Sequence, residues 1–213
     1  MNLSERLFKE EHHIQLISKQ DGSVCHEFLF PFEGDSITLA YWDEYGSYSE
    51  GINLVAPTSD GWFVVYPSSD TLYHISKDKK MTPFFVRKPP VHETNPPMFL
   101  APHAVTDRYV FLTVVERKTD DRGARFPRKG LLYDKMDGML SRYIIRDTSR
   151  LGFKSSLWGF SPSDYPLASS TKLDANYLIG LYQSGTLQGR LKEIASHLEE
   201  EDNSVIMLLK HKQ

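Results

Sequence analysis

His13-Ile14-Gln15-Leu16-Ile17-Ser18-Lys19-Gln20-Asp21-Gly22 is matched 58 positions later by Thr71-Leu72-Tyr73-His74-Ile75-Ser76-Lys77-Asp78-Lys79-Lys80. A third copy, Gly130-Leu131-Leu132-Tyr133-Asp134-Lys135-Met136-Asp137-Gly138, places Leu132-Tyr133 60 positions after Leu72-Tyr73. Each copy runs from a short apolar strand into a polar turn. A second apolar strand follows, at 24–32, 82–87 and 139–146. Asp21-Gly22 and Asp137-Gly138 supply hairpin turn chemistry, because glycine adopts the left-handed backbone that tight turns require.

A further strand pair lies upstream of each later hairpin. Residues 52–57 lead through Thr58-Ser59-Asp60-Gly61 into 62–67, and 98–102 lead through Thr106-Asp107 into 108–115. Four strands therefore recur about every 58 residues, which is the period of a β-propeller blade. The expected fold is all-β: blades of four antiparallel strands, about three and a half of them, in one partial propeller domain. The approximate units are 1–48, 49–95, 96–150 and 151–213.

The tail changes period. Leu187, Leu191, Ile194, Ala195 and Leu198 share one helical face. Glu199-Glu200-Glu201-Asp202-Asn203 then turns the chain into 204–210, which reads as a buried terminal strand. One C-terminal helix is expected, covering a blade edge that would otherwise invite pairing with another chain.

The tail also carries a resemblance. Gly189-Arg190-Leu191-Lys192-Glu193-Ile194-Ala195 followed by Asp202-Asn203-Ser204-Val205 resembles the C-terminus of a six-bladed β-propeller family of Bacteroides-type bacteria. Ser204 stands where that family has proline. The resemblance implies secreted or surface-lipoprotein propellers and brings no catalytic residue set with it. Six blades of this period need roughly 350 residues, so the 213 residues here read as a C-terminal portion, a split product or a shortened homologue.

Composition narrows the function. A net charge of −3 and a pI near 6.2 argue against a generic nucleic-acid binder. No stretch approaches the roughly 18 apolar residues of a membrane span, and the first eleven residues lack the apolar run of a secretory signal. Cys25 is the single cysteine, which excludes an intrachain disulfide. It reads as a small buried or half-buried apolar residue, and the adjacent His26 would point to the opposite face of a strand. No His-x-x-x-His or Cys-x-x-Cys spacing marks a metal site, and Gly-x-Ser-x-Gly is absent. No cofactor is expected.

Three segments are candidate ligand contacts. The loop around Trp42 and Tyr45 is aromatic, and such side chains stack on sugars or peptides through apolar faces with polar tips. Residues 116–129 carry six basic and three acidic side chains, with Arg117, Arg122 and Arg125 as candidate anion contacts. Trp158 and Tyr165 flank a loop that would line the mouth of a propeller channel. The reading is non-catalytic binding of a glycan or peptide at a bacterial cell envelope. One alternative is a propeller lyase or hydrolase with His103, Asp164 and Arg125 converging in a pocket. Another is a structural protein that self-associates through open blade edges.

Overall fold

The computed structural model describes residues 13–30, 39–43, 46–49, 52–66, 68–118, 126–146, 149–150, 154–155, 161–162 and 167–210. Among them, β1 (His13–Ile17) and β2 (Val24–Leu29) form a hairpin, as do β3 (Ala40–Asp43) and β4 (Gly46–Ser49). β5 (Val55–Pro57), β6 (Gly61–Val65), β7 (Thr71–Ser76) and β8 (Met81–Val86) make a four-stranded antiparallel sheet in chain order. β9 (Met98–Val105), β10 (Tyr109–Glu116), β11 (Arg128–Asp134) and β12 (Leu140–Arg142) make a second. β13 (Ile145–Arg146) pairs with β14 (Lys154–Ser155), and β15 (Ser161–Pro162) pairs with β16 (Leu167–Leu173), which also pairs with β17 (Val205–Lys210). The fold is mostly β, with antiparallel sheets of propeller-blade type, and no strand pairing among the described residues closes them into a ring.

The repeat seen in the sequence is a repeat of hydrogen bonds. In the three hairpins, Ser18 N–H donates to Ser23 O at 2.8 Å, Ser76 N–H to Lys80 O at 2.9 Å, and Asp134 N–H to Met139 O at 2.9 Å. In the two complete sheets the next residue ties this turn to its neighbour. Lys77 N–H donates to Asp60 O at 2.9 Å, and Lys135 N–H to Arg108 O at 2.8 Å. Ser18, Ser76 and Asp134 therefore hold the same place in three copies of one unit.

Both faces of β6 and β7 are covered, and strand alternation decides which residue goes where. Phe63, Val65 and Leu72 point towards the β9–β12 sheet and pack with Val105, Val110 and Leu112. Val64, Tyr73 and Ile75 point the other way, onto Phe28 and Phe30 of the β1–β2 arm. A fully buried aliphatic side chain stabilises the fold by about 1.5–3 kcal/mol, so this alternation sets the strand register. A one-residue slip would exchange the two faces. At Gly61 the strands approach too closely for any side chain: an added Cβ would lie 2.0 Å from the Ile75 carbonyl oxygen.

The tail has two helices where one was expected. α1 (Ala175–Gln183) precedes α2 (Gly189–Ala195), and only α2 falls in the expected segment. α1 ends on Gly185 at φ 70°, with Thr186 N–H donating back to Leu181 O at 3.1 Å, a left-handed helix stop. Leu178, Leu187, Leu191 and Ala195 join Leu173 in a core beneath β17. The terminal strand is covered on one side only. Val205 and Met207 pack on that core, while Ile206 and Leu208 are exposed, where burial was expected. Cys25 is likewise exposed rather than buried.

The second strands of the first and third hairpins stop short of their expected ends, with β2 closing at Leu29 and β12 at Arg142.

Candidate functional site

A groove of about 520 Å³ lies between the two complete sheets. Its floor is one face of the β9–β12 sheet, built from alternate residues of four strands. Leu100 lies opposite Val114, Leu112 opposite Leu131, and Leu131 in turn opposite Arg142, while Tyr133 lies opposite Leu140. Its wall is the end of β8 and the chain after it, residues 85–89. The Phe85 ring meets the Tyr133 ring edge-on at 4.6 Å, which closes one end. The inner strands β5 and β9 pack together, and the outer strands splay. The groove is the wedge this leaves, and the exposed Val86 and Leu140 stand at its mouth.

Among the described residues four cations line this apolar wedge, Arg87, Lys88, Lys129 and Arg142, and no carboxylate does. One of the four is already neutralised. Glu116, buried at the end of β10, accepts a hydrogen bond from Lys129 and forms an ion pair with Lys118 at 3.0 Å. Those lysines, Lys129 first, hold its carboxyl below the usual range. Arg87 is different. Its Nε donates to Pro89 O at 3.0 Å, but its Nη2 is buried without a hydrogen-bond partner among the described residues. Burial pushes this guanidinium down, and the Asp70 charge acts in the opposite direction. Asp70 Oδ1 itself accepts the Val91 N–H at 2.6 Å.

A second, polar cleft of about 180 Å³ opens at the turns between strands, with Asp60, His74 and Lys135 in its lining. His74 Nε2 lies 3.3 Å from Asp60 Oδ1, and Thr58 Oγ1 donates to the same oxygen at 2.7 Å. Thr58 foremost, with His74, holds the Asp60 carboxyl below its usual range. A hydroxyl nucleophile must give its proton to the histidine, with the carboxylate on the far side of the ring. Here the hydroxyl sits on the carboxylate, so the trio is a structural hub rather than a relay. Lys135 Nζ, which donates to Thr106 O at 2.7 Å, fixes the opposite wall.

His103 is the bulged residue of β9: Ala104 faces Phe111 and Pro102 faces Leu112, so His103 has no direct partner across the ladder. It is 2% exposed, and its Nε2 is a buried atom without a hydrogen-bond partner among the described residues. Burial lowers its pKa to about 4. It shares a cavity of about 10 Å³ with Asn53, Thr113 and Arg128, which is about the room one water needs.

Of the residues singled out from the sequence, Trp42 lies on β3 with its backbone opposite Ser47. Arg117 is half-buried just beyond β10, and its N–H donates to Pro97 O at 2.8 Å. Tyr45, Arg122, Arg125, Trp158, Asp164 and Tyr165 lie outside the described residues. The groove residues were not foreseen. Their signal is the i, i+2 alternation of apolar side chains in 98–100, 112–114 and 129–133, with basic residues at 129 and 142. Among the described residues, no group of three or more His, Cys, Asp or Glu could hold a metal, and no helix is long and apolar enough to cross a membrane.

No protein-family model matches the sequence, and no curated protein matches it. The chain is similar to a crystal structure of a "Putative exported protein" from Bacteroides fragilis, with 15% identity and a TM-score of 0.53. The match covers 94% of this chain and 72% of that one. At that identity the likeness speaks for the fold: a mostly β, antiparallel architecture shared across nearly the whole chain.

Proposed function

We propose that this chain is a non-catalytic binding protein of the bacterial cell envelope, and that its ligand enters the wedge between the two complete sheets. The observation that carries this reading is the groove itself: an apolar cleft within the roughly 300–1,000 Å³ range of small-molecule sites, with few polar groups at its rim. Among the described residues its lining holds no hydroxyl, thiol or imidazole beyond the Tyr133 phenol, which favours binding over chemistry. The envelope assignment draws on the exported neighbour and on the resemblance of 189–210 to the six-bladed family. An apolar lining suits a hydrophobic body or a peptide side chain better than a bare glycan, whose hydroxyls would be left without partners.

The test is fluorescence titration with Nile red, a neutral apolar dye. Saturable binding by the wild type and its loss in Leu131→Trp, which fills the floor, is the expected result. Equal binding by both proteins would place the dye elsewhere and overturn the reading.

A further inference from the structure

Resting on the groove reading, we infer that the ligand is an anionic amphiphile of the fatty-carboxylate class, its chain on the leucine floor and its carboxylate at the Arg87 and Arg142 rim. Charge complementarity selects this occupant. Every ionisable side chain of the lining among the described residues, apart from the Tyr133 phenol, is a cation. Of the carboxylates nearby, Glu116 is committed to two lysines, and Asp70, whose charge acts on Arg87, accepts the Val91 N–H. The chain as a whole is acidic, at −3, so this cluster runs against the overall charge.

Arg87 supplies a second, independent observation. A buried charged donor without a partner is unfavourable unless something completes it. Among the described residues Nη2 lacks that partner, and Pro89 O already occupies Nε. A carboxylate at the rim would complete the guanidinium by a charge-assisted hydrogen bond, the stronger kind, once the side chain turns Nη2 out towards the groove. Arg142 lies opposite Leu131 on the outermost strand, on the same face of the sheet, and is exposed. The apolar part would be held by Leu100, Leu112 and Leu131, which present a continuous row of branched side chains across three strands.

The experiment displaces Nile red with dodecanoate, dodecanol and dodecyltrimethylammonium, each below its micelle concentration, from wild type, Arg142→Glu and Arg87→Gln. Dodecanoate is expected to bind at least about tenfold more tightly than the other two. Arg142→Glu is expected to weaken dodecanoate by about tenfold while leaving dodecanol unchanged. Arg142 is exposed on an edge strand, so that variant keeps its fold even if Arg87→Gln does not. Equal affinity for the three amphiphiles would overturn the carboxylate assignment while Nile red binding left the groove reading standing. Failure of the wild type to bind Nile red would remove both. Tighter displacement by an acidic leucine-rich peptide than by dodecanoate would also overturn the assignment, in favour of a protein partner.

Discussion

Lys79 and Gly138 occupy the same place in two copies of one hairpin, at φ 60° and φ 71°, each immediately before the residue whose carbonyl closes the turn. Gly22 takes that place in the first copy at φ 73°. The turn demands a left-handed residue, and in the middle copy a lysine meets the demand. A side chain in that conformation carries a penalty of about 1–2 kcal/mol, against which glycine loses more backbone freedom on folding. Lys79→Gly is therefore expected to stabilise the protein by about 1 kcal/mol or slightly less. The lost hydrogen bond from Lys79 Nζ to Cys25 O, 3.3 Å and exposed, subtracts little. Urea denaturation midpoints measure the difference.

Gly61 tests the close approach of β6 and β7. Its absent side chain leaves room for the Ile75 carbonyl, and an alanine there would force the two strands apart. Gly61→Ala is expected to destabilise by about 3 kcal/mol or more, in the range reserved for strained core changes. Gly22→Ala makes the control, because it meets nothing within 4 Å and bears only its left-handed backbone, a loss of about 1 kcal/mol. Similar losses from the two variants would mean that the strand spacing is not set at Gly61.

His103 predicts a pH dependence. Its folded-state pKa is about 4, against 6.5 for an unperturbed histidine. The unfolded chain therefore binds the proton first as pH falls. Stability from this group is complete above about pH 6.5 and is lost progressively down to about pH 4. Between pH 7 and pH 5 the loss is about 2 kcal/mol. His103→Leu is expected to lack that slope, so the wild-type minus variant stability difference falls by about 2 kcal/mol between pH 7 and pH 5. Unchanged slopes in the two proteins would show that His103 titrates normally in the fold.

The first and third hairpins were legible from the turn chemistry of Asp21-Gly22 and Asp137-Gly138, and the middle one from its match to the first copy 58 positions earlier, each between apolar strands. The four-stranded sheets followed from the strand pairs upstream of two of them. α1 was not read, although its signals are present: Asp174 stands at the N-cap position, Ala175 and Leu178 begin one face, and Gly185 stops the helix. Asp174 does not cap through its side chain, which instead accepts a hydrogen bond from Ser204 Oγ at 2.8 Å and tethers α1 to the start of β17. The groove was illegible for another reason. Alternation shows which residues share the floor, as Leu112 and Val114 do. Whether a gap remains above them depends on how far two sheets splay, and no local pattern encodes that. The His103 bulge is similar, since it exists only in the register of β9 against β10.

The central claim is that the wedge between the two complete sheets is the ligand site. Amide chemical-shift mapping of the isotope-labelled full chain during Nile red titration tests it most directly. The account expects the perturbed amides to cluster at 85–89, at Leu100, Leu112 and Val114, and along Leu131 to Arg142. Perturbations gathered instead at Asp60 and His74, or around Trp42 and Trp158, with the groove amides unmoved, would contradict it.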